Sequence, residues 1–367
     1  MRYFAHPGLS EPRTKEQWRA YVDAPLPTRP ELPPYAVYKE LPENDRELLD
    51  EQRHAYHSAL VLVRTAQMQR LHAVIRRRML ANADQAAGAR RGIVLDGPPT
   101  IGKSTLVKLF AADHERRLRR RHPEKFAVGY QVDGMLVDYT PVVYLNVPTQ
   151  ATPKDLSTLL AHYVAMPYRP GSTKTQITDA VLRVLEMVGT ELVIIDDAHF
   201  LDLSAREGRV ANEHLKYLAN HTAATFVYTG ADLKKSGLFL EGRVGNQATQ
   251  TSGRNSLYQV KKFGTSDTDR TEWVATIKAF EDALSLYHHE PGLLARLAPY
   301  LYDRTDGSIS ALSDLIRESA IEAVLSGKEA ITRTLMDRVE ISHLAEAAYR
   351  AVTNTRTKKA RQSRLTG

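Results

Sequence analysis

The sequence predicts an α/β fold in which a parallel β-sheet is flanked by helices and followed by a C-terminal helical domain. Between residues 93 and 260, short apolar runs alternate with helical patterns, and strands separated by helices imply a parallel sheet with crossover connections. The apolar runs are continuous, which is typical of strands covered on both faces. After about Thr265 the strand patterns stop, and apolar residues recur at helical spacing.

Five apolar runs are the predicted strands: Ile93–Leu95, Val142–Leu145, Leu192–Ile195, Thr225–Tyr228 and Tyr258–Val260. Helical patterns between them cover Leu106–Phe110, Pro153–Tyr163 and Asn212–Leu218. In the C-terminal part, Trp273, Ile277, Phe280 and Leu284 recur at spacings of four, three and four, which indicates one face of a helix.

The first 45 residues contain eight of the 18 prolines, so they cannot form a regular core, although a short helix is predicted around Trp18. A helical pattern then runs from Asn44 to Ala81, with Leu71, Val74, Ile75 and Leu80 as its apolar face. We therefore expect four parts. They are a proline-rich N-terminal arm (1–45), a nucleotide-binding α/β domain (46–264), a helical lid domain (265–352) and a basic flexible tail (353–367).

The composition bounds the class of protein. Of the 367 residues, 43% are hydrophobic and 25% charged, which is ordinary for a globular chain and excludes a wholly disordered one. The chain has no cysteine, which excludes disulfides, thiol catalysis and cysteine-based metal sites and fits a reducing cytoplasm. No apolar run approaches the roughly 18 residues of a membrane span, and the first 13 residues lack the apolar core of a secretory signal. We expect a cytoplasmic protein without a membrane partner.

The net charge is +7, and the tail carries five of the cationic residues: Arg356, Lys358, Lys359, Arg361 and Arg364. Two interpretations stay open. A basic tail is typical of a flexible arm that binds an acidic partner, nucleic acid first, and it is equally typical of a solvated C-terminus.

A phosphate-binding motif follows the first predicted strand. It matches G-x-x-x-x-G-K-[ST] in full: Gly97, Pro98, Pro99, Thr100, Ile101, Gly102, Lys103 and Ser104, with Thr105 next in the helix. Its glycines let backbone N–H groups point at phosphate oxygens, and the helix that follows presents its N-terminus to the same anion. Lys103 is predicted to contact the β- and γ-phosphates of a nucleotide, and the Ser104 hydroxyl to ligate Mg²⁺. The motif predicts a P-loop NTPase that binds ATP.

Two carboxylates follow the third strand. Asp196 is predicted to hold Mg²⁺ and Asp197 to orient or deprotonate the attacking water, because ligands of open α/β sheets bind at the carboxyl ends of the strands. Thr229 ends the next strand and either contacts the γ-phosphate or the water, or is a plain strand-end threonine. Arg254 or Arg243 is a candidate arginine finger for a neighbouring subunit, although each is more often a solvated arginine.

Three further groups have plainer interpretations. His54 and His57 are three residues apart on a helix, and without further ligands nearby we interpret them as surface or packing residues. The basic runs Arg76–Arg78 and Arg116–Arg121 either face DNA or form solvated helix faces.

The sequence resembles the TniB/TnsC family of AAA+ ATPases. The resemblance is carried by Trp18–Val22, Asp50–His57, Asp196–His199, Glu213–Asn220, Thr225–Gly230 and Asp306–Ile309. It implies an ATP-driven assembly, a ring or helical filament, that forms on double-stranded DNA with little sequence preference. It also implies recruitment of a DDE-type transposase and, through it or a separate targeting protein, control of target choice.

One departure affects the expected chemistry. AAA+ proteins usually have glutamate where Asp197 stands, and aspartate is one methylene shorter, so hydrolysis is expected to be slow. A sensor-2 arginine cannot be placed, since Arg304 and Arg317 only flank the predicted lid helix. Alternative functions are a STAND-type signalling NTPase, a helicase loader or replication initiator, and a scaffold that binds ATP without hydrolysing it.

Overall fold

The computed structural model describes residues 11–25, 28–59, 63–86, 90–201, 206–233, 255–343 and 345–351. The chain divides into two compact units. One, here called the α/β unit, comprises residues 1–24 and 67–260, and the other, the helical unit, comprises residues 25–66 and 261–367. None of the helices in these ranges is long and apolar enough to cross a membrane.

The described strands are β1 Gly92–Asp96, β2 Tyr130–Val132, β3 Met135–Val137, β4 Val142–Asn146, β5 Leu192–Asp196, β6 Thr225–Gly230 and β7 Asn255–Gln259. The described helices are α1 Lys15–Asp23, α2 Tyr35–Glu40, α3 Glu43–Ser58, α4 Ala66–Ala83, α5 Lys103–Arg121, α6 Pro123–Ala127, α7 Pro153–Tyr163, α8 Lys174–Met187, α9 Arg206–Asn220, α10 Asp267–Asp282, α11 Leu293–Arg296, α12 Ala298–Thr305, α13 Ile309–Leu325 and α14 Arg333–Met336.

The α/β unit contains a five-stranded sheet in the order β4-β5-β6-β1-β7, with every neighbouring pair parallel. The predicted α/β class with a C-terminal helical region is therefore confirmed. All five residues of both β1 and β5 are buried, because helices cover both faces of the sheet. In a parallel sheet the carboxyl ends of all strands lie at one edge, so the residues that follow β1, β4, β5 and β6 are brought together.

Four elements of the α/β unit, β2, β3, α6 and α8, were not predicted from the sequence. Strands β2 and β3 form a two-stranded antiparallel hairpin between α6 and β4, with Asp133 and Gly134 at positive φ in its turn. Helix α8 begins with a capping box at Thr173 and Gln176. The predicted apolar face of α4 is right for Leu71 and Ile75, which are buried, and wrong for Leu80, which is 69% exposed.

The N-terminal residues are shared between the units. Helix α1 packs in the α/β unit, where Trp18 is buried and its indole Nε1 donates a hydrogen bond to Glu115 Oε2 over 2.7 Å. The next helices belong to the helical unit, because Arg53 on α3 forms a buried ion pair with Glu329 there. Contacts thus divide residues 1–66 near residue 24, whereas the sequence-based domains divide them after residue 45.

The helical unit has its own apolar core. Trp273, Ile277 and Phe280 on α10 are buried at the spacing that the sequence predicts, and they belong to the same cluster as Leu312 and Ile316 on α13. Helix α13 begins at the cap Ser308, whose hydroxyl accepts a hydrogen bond from the backbone N–H of Ala311.

Candidate nucleotide-binding site

The loop from Gly97 to Gly102 joins β1 to α5 and curls tightly. A Cβ atom at Gly97 would lie 2.4 Å from the carbonyl oxygen of Val260, so the backbone approaches this neighbour as closely as only glycine allows. Thr100 and Gly102 have φ values of +55° and +87°, in the left-handed region. Helix α5 begins directly afterwards at Lys103, so its N-terminal N–H groups open onto the loop.

Lys103 lies inside this curl. Its side chain is buried, and its Nζ donates hydrogen bonds to the carbonyl oxygens of Gly97 at 2.9 Å and Pro98 at 2.6 Å. Burial lowers the pKa of Lys103, and the nearby carboxylates of Asp196 and Asp197 oppose that shift. The ammonium group is thus held beside a helix N-terminus by neutral carbonyls, an arrangement suited to an anion. Ser104 and Thr105 follow in the first turn and are half-buried.

Asp196 ends β5 and is buried, with three donors on its carboxylate. The Tyr144 hydroxyl donates to Oδ2 at 2.6 Å, and the Thr229 hydroxyl and the backbone N–H of Asp197, at 3.0 Å, donate to Oδ1. Tyr144 and Thr229 belong to β4 and β6, the two neighbours of β5 in the sheet. The carboxylate is therefore fixed in one orientation by the strands on either side.

Asp197 is held differently. It adopts a left-handed conformation with φ +55°, and its side chain is 30% exposed. The side-chain amide of Asn146 donates to Oδ2 at 3.1 Å, and His199 Nδ1 lies 3.9 Å from Oδ1. Asp197 is therefore oriented but still open to solvent, whereas Asp196 is enclosed.

Comparison with known proteins agrees with this geometry. A family model described as "Bacterial TniB protein" matches residues 53–237, just over half of the chain. The chain belongs to the TniB family. The family resemblance in the sequence is thereby confirmed, and the matched residues include the phosphate loop, Asp196, Asp197 and Thr229. A search of curated proteins gave no match.

Solved structures with the same fold as this TniB-family chain include two archaeal proteins from Aeropyrum pernix. The ORC2 protein, in complexes with ADPNP and ADP, is 16% identical, and the match covers 76% of this chain and 67% of that one with a TM-score of 0.51. The ORC1 protein in complex with DNA is also 16% identical, with 78% and 65% covered and a TM-score of 0.51. This chain thus spans about two thirds of the length of these proteins, and the likeness shows that they share its fold.

Thr229, at the end of β6, lies beside Asp196. Its side chain is fully buried, and its hydroxyl donates to the Asp196 carboxylate. Arg243 and Arg254, the candidate arginine fingers, lie outside the described residues, as does the basic tail. The interpretation of His57 as a packing residue is confirmed, since its buried Nε2 accepts a hydrogen bond from the backbone N–H of Ser285.

Three contact residues of the TniB-family site were not identified from the sequence. They are Tyr144 and Asn146 on β4, and Glu11, whose Oε1 lies 2.5 Å from the Tyr144 hydroxyl oxygen. Asn146 could have been found from its position, because it ends the strand paired with β5 and lies in register with Asp196. Nothing in the local sequence indicates that Glu11 contacts a residue 133 positions away.

The oxygen donors of this site suit Mg²⁺. Within the described parts of the chain, no group of three or more histidines, aspartates or glutamates is placed to enclose a metal ion. Mg²⁺ bound with a nucleotide needs no such cage, since it keeps several waters and takes one or two protein oxygens besides the phosphates. The oriented carboxylate of Asp196 and the hydroxyl of Ser104 are donors of that kind.

Proposed function

We propose that this TniB-family chain is an ATPase that binds ATP with Mg²⁺, assembles on double-stranded DNA and recruits a DDE-type transposase to a target. The arrangement around Lys103 carries the nucleotide part of the proposal. A buried ammonium group, partnered only by loop carbonyls within the described residues, lies beside a helix N-terminus and faces two carboxylates. Phosphate oxygens would replace the carbonyls as stronger acceptors.

Each part of the site has a role in this proposal. The backbone of residues 97–105 holds the phosphates, and Lys103 contacts the β- and γ-phosphates. Ser104 and Asp196 hold Mg²⁺, which neutralises phosphate charge when it is bound. Asp197 positions the attacking water and accepts its proton. Support for its role comes from its exposure and from Asn146, which fixes one carboxylate oxygen and leaves the other facing His199.

Assembly completes the proposed mechanism. An arginine from a neighbouring subunit, Arg254 or Arg243, would reach the bound phosphates, so ATP would join subunits into a ring or filament around duplex DNA. Hydrolysis would weaken that contact and release the assembly. Membership of the TniB family supports DNA and a DDE-type transposase as partners, with a separate targeting protein as a further one.

The experiment is a phosphate-release assay on the full chain with Mg²⁺ and ATP, run with and without duplex DNA, together with sedimentation. We expect turnover and DNA-dependent assembly for the wild type and neither for Lys103→Ala. Lys278→Ala, an exposed lysine on α10, is the matched control and should behave as the wild type. Full assembly by Lys103→Ala would contradict the proposal.

The same assay separates the alternative functions. Nucleotide-dependent assembly without any phosphate release would indicate a non-hydrolysing scaffold. Strong preference for one DNA sequence would favour an initiator, because contacts to the phosphate backbone alone carry no sequence information. Nucleotide binding and turnover that are the same with and without DNA would favour a signalling NTPase.

A further inference from the structure

The basic run at the end of α5 has two faces, and one of them contacts α1. Arg116 donates to the carbonyl oxygen of Val22, with Nη2 at 2.8 Å, and Arg119 pairs with Glu115 and Asp23. These two arginines hold α1 in the α/β unit. Arg117, Arg120 and Arg121 lie on the other face of the helix, at the i, i+3, i+4 spacing that places side chains together.

The second face lines a groove of about 830 Å³. Arg76 on α4 and Lys125 on α6 line the same groove, so five cationic side chains converge there. Within the described residues, none of the four arginines forms an ion pair with a carboxylate. The crowding of like charge acts on Arg117. Burial and the neighbouring arginines of the groove lower its pKa, and the charge of Asp113 opposes that shift only in part.

The two acidic side chains of the groove do not balance this charge. Glu191 is hydrogen-bonded to His114, with His114 Nε2 3.0 Å from Oε2, and accepts a hydrogen bond from the Tyr139 hydroxyl at 2.7 Å. The second acidic side chain that lines the groove is Glu186, so two carboxylates stand against five cationic side chains. The groove therefore keeps an excess of positive charge, and its four guanidinium groups form no ion pair with any residue that the structure describes.

The groove lies at the opposite edge of the sheet from the phosphate loop. Its floor includes Thr190 and Glu191, directly before β5, and Thr222, shortly before β6, whereas the phosphate loop follows the carboxyl end of β1. A ligand in the groove would thus not compete with the nucleotide. Arg76, Arg120 and Arg121 are exposed, so the charge faces outward, as suits the surface of a large anion rather than an enclosed small one.

We infer that this groove, with Arg76, Arg117, Arg120 and Arg121 as its donors, holds the phosphodiester backbone of duplex DNA. The inference rests on the proposed function and names the surface that it uses. Guanidinium groups bind phosphate oxygens through paired N–H donors, and the groove receives one such group from α4 and three from α5. Contacts to backbone phosphates fix position without reading sequence, which fits DNA binding of little sequence preference.

The test compares duplex binding by full-length variants in Mg²⁺ and a non-hydrolysable ATP analogue, by fluorescence anisotropy over a range of salt. The groove variant is Arg120→Gln with Arg121→Gln, two exposed changes that keep helix propensity. Losing two phosphate contacts should weaken binding about 30-fold at about 0.15 M salt and reduce the slope of log affinity against log salt by about two. Arg117→Gln should lower the slope by about one.

Arg183→Gln, an exposed arginine on α8 outside the groove lining, is the matched control and should bind DNA as the wild type does. ATP binding should be unchanged in every variant, which would show that the α/β unit is folded.

If the groove variants bind duplex as Arg183→Gln does, the assignment of the groove is wrong while the proposed function stands. If they lose binding of inorganic tripolyphosphate but keep duplex, the groove binds a free anion and the assignment is again wrong. If the wild type itself shows no nucleotide-dependent DNA binding, the proposed function fails and this inference with it.

Discussion

The Tyr144 hydroxyl donates a hydrogen bond to Oδ2 of Asp196 over 2.6 Å, and the same hydroxyl oxygen lies 2.5 Å from Glu11 Oε1. Burial, followed by the charge of Asp196, raises the pKa of Tyr144, so the phenol stays protonated and remains a donor. Trp18 on α1 stacks on the Tyr144 ring with centroids 5.9 Å apart. One side chain thus connects the N-terminal segment to the carboxylate proposed to bind Mg²⁺.

Tyr144→Phe should remove this donor while keeping the ring packing. Because hydrogen bonds to charged groups contribute about 1.5–3 kcal/mol, the free energy of unfolding should fall by about that amount in a urea titration. ATP affinity in Mg²⁺ should also weaken, since Asp196 loses one of the three hydrogen-bond donors that orient its carboxylate. Tyr168→Phe, at an exposed tyrosine, is the control. An unchanged unfolding curve for Tyr144→Phe would show that the contact contributes nothing.

Asp197→Asn should separate binding from hydrolysis. Asparagine tolerates the left-handed backbone at this position, and it keeps an oxygen for Asn146 but cannot accept a proton. Turnover should fall at least about 100-fold with ATP affinity unchanged, and assemblies on DNA should persist. Asp133→Asn, also at positive φ but in the β2–β3 turn, is the matched control. Undiminished phosphate release would place the water-orienting role on another residue.

Gly97→Ala should damage the phosphate loop through sterics alone. The added Cβ would lie 2.4 Å from the Val260 carbonyl oxygen, so the loop or β7 must move. Overpacking of this kind costs about 1–3 kcal/mol of stability, and nucleotide affinity should fall with it. Gly102→Ala meets no atom within 4 Å but is strained by its φ of +87°, at about 1–2 kcal/mol. Equal stability of Gly97→Ala and the wild type, in chemical denaturation, would refute the close approach.

Two buried histidines predict a loss of stability in mild acid. Burial lowers the pKa of His57 to about 4, assisted by Arg53, and burial with Lys174 does the same for His214. Between about pH 6.5 and pH 4, these histidines are therefore protonated in the unfolded chain but not in the folded chain. The free energy of unfolding consequently falls as the pH drops through this window, and these histidines do not change it at higher pH. Across the whole window, each histidine should lower the free energy of unfolding by about 3 kcal/mol.

The measurement is the free energy of unfolding against pH for the wild type and for His57→Asn. The free energy of unfolding of His57→Asn should change less with pH than that of the wild type, because the contribution of His57 is missing. His162→Asn, at an exposed histidine, should follow the wild type. Parallel curves for His57→Asn and the wild type would contradict a depressed pKa at His57.

The ion pair of Arg53 and Glu329 predicts strong coupling within the helical unit. Both side chains are buried, and Arg53 Nη1 lies 2.9 Å from Glu329 Oε1. Removing Arg53 leaves the buried Glu329 carboxylate without its counter-ion, so Arg53→Met should cost about 3–5 kcal/mol. Glu329→Gln should cost less, because Arg53 keeps its ion pair with Asp50 at 2.9 Å. The double variant should cost clearly less than the sum in a double-mutant cycle. Additive losses would mean that the two residues act independently.

Much of the fold and the nucleotide loop could be predicted, because continuous aliphatic runs specify strands covered on both faces and the phosphate motif specifies its own backbone. The contacts of Asp196 could not be predicted. Tyr144 reads as one more buried strand residue, and Glu11 is brought to it by the packing of α1, which periodicity does not encode. The two faces of the arginine run follow from helical spacing, but only the positions of α1 and α4 decide which face is paired.

The most direct test is sedimentation of the full chain with duplex DNA in magnesium, with a non-hydrolysable ATP analogue present or absent. We predict large DNA-bound assemblies with the analogue, small species without it, and small species in both cases for Lys103→Ala. Identical sedimentation of the wild type with and without nucleotide would contradict the account.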